Sequence, residues 1–252
     1  MQMHYFFKEG SSLAAGRLIE LDPDDLNHAY RVLRLRENSV VAVADGRGAA
    51  FKGIIESIGQ QAAFIRLGDP LPAAESPLRI VLLQGLAKGE KMDLIIRQAT
   101  ELGVQRIVPI VTERSIPRLD ESREANRLKR WRKVARAAAA QCRRAFLPEV
   151  FPVHDFNGAL SLLEGREALV PWEEEKECGL ESLLKQPLPA KEAVYIFIGP
   201  EGGFGMREIE ALTAAGARTF HLGPRILRTE TAAAVTVGLI QAAWGDLGVG
   251  SR

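Results

Sequence analysis

Only two cysteines, Cys142 and Cys178, occur in this 252-residue sequence, and they stand far apart. That excludes a disulfide-stapled scaffold, and no CxxC pair is present. Histidine is equally scarce, with four scattered residues, so no zinc-ligand spacing arises and a metal-free protein is expected. Long apolar runs are missing too. The longest mostly apolar stretch, Ala232 to Trp244, contains Thr236 and Gln241 and falls short of the about 20 residues that cross a bilayer. The opening Met1-Gln2-Met3-His4-Tyr5-Phe6-Phe7 lacks the basic segment of a signal peptide. There is no internal repeat and no low-complexity tract. What is there, 46% hydrophobic and 26% charged residues, is enough for one or two globular domains with a sizeable core. The expectation is a cytoplasmic, reduced protein without membrane contact.

A formal net charge of +1 conceals an uneven distribution. Residues 1–75 carry 8 basic and 10 acidic groups, residues 76–147 carry 16 and 7, and residues 148–252 carry 9 and 15. So basic a central block in a neutral chain points to a local anion-binding surface. Part of it falls on one helix. From Leu128 to Ala145, Leu128, Trp131, Val134, Ala138 and Cys142 recur at steps of three and four, which makes one apolar stripe. At about 100° per residue, Lys129, Arg132, Arg136 and Arg143 cluster within about 60° on another side. Stacked cations release counterions on meeting a polyanion, so a nucleic acid is the expected partner.

Asp69-Pro70-Leu71-Pro72-Ala73-Ala74-Glu75-Ser76-Pro77 reads as a linker. Before it, strands are predicted over 39–44, 49–58 and 61–67, the first two joined by the turn signal Asp45-Gly46-Arg47-Gly48. A helix between Asp22 and Leu33 has Asp22 as N-cap and Pro23 at its first position. After the linker, strands over 79–84, 104–111, 168–171, 194–198 and 219–222 alternate with helices, among them 91–102 and 231–247. Alternating units of this kind predict a mainly parallel sheet covered by helices.

Two loops carry the chemistry. Val194–Ile198 runs into Gly199-Pro200-Glu201-Gly202-Gly203-Phe204-Gly205, and Phe220-His221-Leu222 runs into Gly223-Pro224-Arg225-Ile226-Leu227-Arg228-Thr229-Glu230-Thr231. Both follow strands, at the edge where α/β sheets bind ligands. Neither has the GxGxxG spacing, no GxxxxGK[ST] occurs, and no GxSxG elbow exists, which demotes dinucleotides, nucleoside triphosphates and serine-hydrolase chemistry.

These two strings resemble those of the ribosomal RNA small-subunit methyltransferase E family, within the SPOUT superfamily of methyltransferases. Lys88-Gly89-Glu90-Lys91-Met92-Asp93, Gln98-Ala99-Thr100-Glu101-Leu102-Gly103, Glu113-Arg114-Ser115 and the N-terminal His28, Val32, Leu33 and Arg34 extend the resemblance over nearly the whole chain. It departs at Ala137 and Ala140, where the family has glutamates, at Arg143, where it has glycine, and at Asn38-Ser39, where it has Gly-Asp.

The resemblance implies a PUA-like β-rich barrel over 1–72 and, over 77–252, a SPOUT α/β domain with a parallel sheet and a C-terminal trefoil knot. It implies a homodimer that uses S-adenosylmethionine to methylate N3 of a uridine in 16S rRNA, free or in the small ribosomal subunit. Cofactor contacts then fall on Pro171, Trp172 and Glu173, on Ile198, Gly199, Pro200, Gly202 and Gly203, and on Leu222, Gly223, Ile226, Leu227, Arg228, Thr231 and Ala232. Removing the N3 proton calls for a base and a cationic stabiliser. Arg228 is the expected stabiliser, and Glu230 or Glu201 the expected proton acceptor. Phosphate contacts are expected at Arg34, Arg114, Arg118, Lys129, Arg132, Arg136, Arg143 and Arg144. The competing expectations are methylation of another RNA or of a ribose hydroxyl, and a catalytically silent RNA-binding assembly factor.

Overall fold

A computed structural model describes residues 3–10, 12–72, 75–115, 121–163, 165–185 and 193–248. They form two compact units, Met1–Glu75 with Arg136–Leu147, and Ser76–Ala135 with Pro148–Arg252.

The first unit is built on a five-stranded sheet of β1 (His4–Phe7), β2 (Leu18–Glu20), β3 (Val40–Ala44), β4 (Ala50–Ile58) and β5 (Ala63–Leu71), in the order β1-β3-β4-β5-β2. Only β1 and β3 pair in parallel. The three strands predicted from the sequence are present. Their alternation places Val41, Val43, Ile55, Ile65 and Leu67 in one core with Phe6 and Ile19. The predicted turn forms as its residues require: Asp45 Oδ1 accepts the N–H groups of Arg47 (2.7 Å) and Ala49 (3.0 Å).

Three expectations change here. The strand predicted over 61–67 continues as β5 through Pro70 and Leu71, so the linker reading began too early. Pro70 lies opposite Phe51 beside a register shift, a place where a missing N–H is tolerated. The helix α1 (Pro23–Asn27) has Asp22 at its N-cap, but the carboxylate makes no cap bond and pairs with Lys8 instead; a π-turn over His28–Val32 follows. Asn38, where the family has glycine, has φ +67°, a conformation that asparagine tolerates.

The third change concerns the basic block. Arg136 was expected to meet phosphate, yet its guanidinium donates to Glu9 (2.7 Å), Asp25 (2.8 Å) and the Phe7 carbonyl (2.8 Å) and lies over the Phe7 ring. Arg144 is 3% exposed and grips the Glu75 carboxylate at 2.9 and 3.1 Å. Both guanidiniums are thus engaged by partners within their own unit, and Arg144, the buried one, would be costly to strip of its carboxylate. Ala139 and Ala145 from the same segment complete a small core with Phe7, Ala44 and Ala50.

The second unit holds β6 (Ile80–Gly85), α2 (Lys91–Glu101), β7 (Arg106–Val111), most of α3 (Glu121–Cys142), β8 (Glu149–Val150), β9 (His154–Asp155), α4 (Phe156–Ser161), β10 (Glu167–Pro171), α5 (Leu180–Leu184), β11 (Val194–Ile198), α6 (Met206–Ala214), β12 (Arg218–Phe220) and α7 (Thr229–Trp244). The sheet order is β12-β10-β11-β6-β7-β8, with β9 also on β7, and every pair is parallel. All of β6 and β11 is buried, because parallel strands are covered on both faces. Ile80, Leu82, Ile196 and Ile198 pack under α2, α3 and α7, with Trp131 among their neighbours. The alternate residues Val81, Leu83, Tyr195 and Phe197 pack under α4 and α6. From β6 the chain moves outward to β7 and β8 on one side and later to β10, β11 and β12 on the other. The strand order therefore reverses beside β6, where α/β sheets bind ligands.

Candidate functional site

Loops leave the carboxyl ends of four neighbouring strands at this reversal: Leu86–Glu90 after β6, residues 172–179 after β10, 199–205 after β11 and 221–228 after β12. Polar bonds across long stretches of chain tie them together. The Gln84 amide, fully buried at the end of β6, donates to the Gly85 carbonyl (2.9 Å) and to the Thr229 hydroxyl (3.0 Å), which itself donates to the Gly199 carbonyl at 2.6 Å. Such a chain in a dry interior fixes both loops against β6. The backbones also approach closely: a Cβ on Gly85 would lie 2.5 Å from the Pro200 nitrogen. Gly203 turns at φ +67°, and a Cβ there would meet the Glu173 carboxylate at 2.6 Å.

Acidic side chains hold the loops. Glu208 on α6 accepts the N–H of Gly205 (2.9 Å) and that of Glu113 (2.8 Å). Glu175 accepts the N–H groups of Lys176, Glu177 and Cys178 at 3.0 to 3.2 Å and the Thr219 hydroxyl at 2.6 Å. The Thr219 bond first, then these N–H groups, hold its carboxyl below the usual carboxylate range. The Glu175 contribution to holding this loop is therefore present in full above the ordinary glutamate range and weakens as pH falls through the lowered value. Burial alone would raise the Glu201 carboxyl, but the Lys88 N–H (3.0 Å) and the Lys91 ammonium (3.1 Å) outweigh it and hold it below its ordinary value. The same ammonium lies 3.6 Å from Glu230 Oε2, a buried atom with no hydrogen bond among the described residues.

The loops enclose a cavity of about 690 Å³. Of the residues expected at the cofactor, Pro171, Trp172, Glu173, Ile198, Gly199, Pro200, Gly203, Leu222, Gly223, Ile226, Leu227, Arg228 and Ala232 line it; Gly202 and Thr231 do not. Arg228 and Glu201 line it as well, whereas Glu230 sits behind Lys91. Sequence reasoning missed Lys91, Glu175, Lys176, Phe204, His221, Pro224, Arg225 and Thr229 on the wall, and Gln84 behind it. Most of these lie in the quoted strings or beside them, and position in the string was the available signal.

The phosphate candidates separate by exposure. Lys129 and Arg132 are exposed on α3, Arg132 donating Nε to the Val150 carbonyl at 3.2 Å. Arg114 is exposed but braces the 199–205 loop through the Gly202 carbonyl (2.8 Å). Arg34 and Arg143 are exposed in the first unit, both at positive φ, +52° and +64°. Arg118 lies outside the described residues. No three His, Cys, Asp or Glu side chains among the described residues converge as metal ligands, and none of the described helices is long and apolar enough to cross a membrane.

Two family models match: an RNA methyltransferase domain over residues 74–241 and an RNA methyltransferase PUA domain over 21–68. The chain is 30% identical to the ribosomal RNA small subunit methyltransferase E of Bacillus subtilis, over 92% of this chain and 93% of that one. With the Mycobacterium bovis protein of the same description it shares 33% identity, over 89% and 86%. Among solved structures, one from Legionella pneumophila, described as a methyltransferase in complex with the bound cofactor SAM, superposes with a TM-score of 0.89 at 31% identity, covering 98% of this chain and 100% of that one. A ribosomal RNA small subunit methyltransferase E from Neisseria gonorrhoeae, bound to S-adenosyl methionine, gives 0.87 at 30% identity, covering 97% and 99%.

Proposed function

The chain belongs to the ribosomal RNA small subunit methyltransferase E family, and from that premise we propose that it methylates N3 of a uridine in 16S rRNA with S-adenosylmethionine. The observation that carries the reading is the cavity at the strand-order reversal, formed by the family's own two glycine-proline loops. Its volume falls in the about 300–1,000 Å³ range of small-molecule sites. Its wall suits this cofactor: apolar Ile198, Leu222 and Leu227 for an adenosine, close backbone for its polar edge, and the Glu173 and Glu201 carboxylates for a cationic sulfur. When bound, S-adenosylmethionine supplies an electrophilic methyl group on a positively charged sulfur.

The chain's residues do the rest. Arg228, exposed at the N-cap of α7, steadies the uracil oxygens as negative charge builds on the ring. The N3 proton passes to a carboxylate, either Glu201 on the cavity wall, where Lys88 and Lys91 also hold it, or Glu230, which the Lys91 ammonium separates from the wall. Excluding water around the reacting nitrogen strengthens each of these interactions. The proposal also takes in a C-terminal trefoil knot and a PUA-like β-rich barrel, the latter supported by the five-stranded sheet of the first unit. The boundaries 1–72 and 77–252, a homodimer and a cytoplasmic setting among ribosomal subunits belong to it as well.

Nucleoside mass spectrometry of 16S rRNA and of small subunits after incubation with the protein and S-adenosylmethionine is expected to show 3-methyluridine. Ribose-methylated uridine in its place, or no modified nucleoside, would overturn the assignment. For the RNA surface, neutralising Lys129 and Arg132 together is expected to weaken RNA binding for all sequences alike. The slope of log affinity against log salt should flatten by about 1 per charge removed. An unchanged slope in a filter-binding salt series removes these two residues from the phosphate path.

A further inference from the structure

Lys91 is the cation that the sequence did not single out. Its ammonium stands between Glu201 on the 199–205 loop and Glu230 on α7, and these three side chains are 34%, 27% and 14% exposed. Two negative charges thus face one positive charge at a cavity wall that Lys91 and Glu201 themselves line. Partial burial keeps bulk salt from screening them fully. The methyl donor and the product left after transfer share their adenosine and amino-acid parts, so loop contacts to those parts recognise both alike. They differ by a methyl group and by the positive charge of the sulfonium.

Resting on the cofactor reading above, we propose that the Lys91–Glu201–Glu230 trio is a charge-set seat that makes the cavity favour the sulfonium donor over its neutral thioether product. Lys91 acts as the positioning residue that limits the excess to a single negative charge. The seat therefore retains the donor yet lets the spent product leave. Other charged groups face the same space: Glu173, Glu175, Lys176, Arg225 and Arg228 on the wall. Behind α2, Asp93 and Glu90 are paired by Arg130. These also feel the sulfonium charge, but they stay the same in every variant, so a change in the affinity ratio from one variant to the next isolates the trio.

The test is calorimetric titration of the full chain at pH 8 with S-adenosylmethionine and, separately, S-adenosylhomocysteine. Changing one charge near the ligand at intermediate effective dielectric is worth roughly three- to tenfold in affinity. Glu201→Gln and Glu230→Gln are each expected to lower the donor-to-product affinity ratio by that factor. Lys91→Met is expected to raise it, and Lys91→Arg to keep it at the wild-type value. A merely structural clamp weakens both ligands together and leaves the ratio where it was. The seat is overturned if the ratio stays fixed across all variants, or if Lys91→Met shifts it in the same direction as the glutamine variants. Wild-type protein that binds neither ligand overturns the cofactor reading itself, and the seat with it.

Discussion

Arg228→Ala is expected to lower uridine methylation by about 10²–10³-fold, the usual cost of deleting one donor to a developing anion. S-adenosylmethionine binding should stay within about threefold of wild type. The separation follows from how Arg228 is held. Its backbone serves the fold: φ −66° and ψ 151° make it the N-cap of α7, and its carbonyl accepts the Ala232 N–H at 2.8 Å. Alanine can keep that geometry. The guanidinium, by contrast, is exposed at the cavity rim and makes no cap bond, so its removal leaves the loop standing. Single-turnover methylation and calorimetry on the same preparation decide the matter. Unchanged turnover removes Arg228 from the chemistry, and joint loss of turnover and binding assigns it to the cofactor.

Gly85→Ala carries the other large effect. A Cβ at this position meets the nitrogen of Pro200 at 2.5 Å and its Cδ at 2.6 Å. Neither atom is the far end of a flexible chain, so β6 and the 199–205 loop must separate. Overpacking of this kind costs about 1–3 kcal/mol, and more where rigid backbone is pushed. Opening the gap also strains the Gln84–Thr229–Gly199 chain, so cofactor affinity is expected to fall about 100-fold, which corresponds to about 3 kcal/mol. Gly59→Ala is the control, since its Cβ finds its nearest neighbour only at 4.0 Å. Thermal unfolding and calorimetry should leave Gly59→Ala near wild type and Gly85→Ala impaired in both. Normal binding by Gly85→Ala would mean that the close approach of strand and loop is not needed to shape the cavity.

Local patterns in the sequence found what local physics determines. β3, β4, β5, β6, β7, β10, β11 and β12 were visible because their β-branched and apolar runs are bounded on at least one side by glycine, proline or asparagine. The two cofactor loops were visible because glycine and proline recur at strand ends. β1 and β2 were not, since four and three residues offer too little periodicity to separate a strand from a loop. Pro70 argued for a linker, and only the register shift opposite Phe51 shows why a strand accepts it. Arg136 and Arg144 shared a basic block with Lys129 and Arg132, yet charge pattern says nothing of partners 129 and 69 residues away. Gln84 and Lys91 were missed for the same reason. Gln84 reaches Thr229 across 145 positions, and a distance of that kind is invisible until the sheet brings the strand ends together.

The segment Arg136–Leu147 belongs to the compact unit otherwise made of Met1–Glu75. It brings the partners of Glu9, Asp25 and Glu75 and two alanines of the Phe7 core. During synthesis the first 75 residues therefore emerge with three carboxylates waiting for cations and a core face uncovered. The module is complete only once residue 147 has been added, by which time β6, α2, β7 and all of α3 have been made. Birth order and completion order differ in this chain: a piece ending at residue 75 lacks Arg136, Ala139, Arg144 and Ala145 of its own unit.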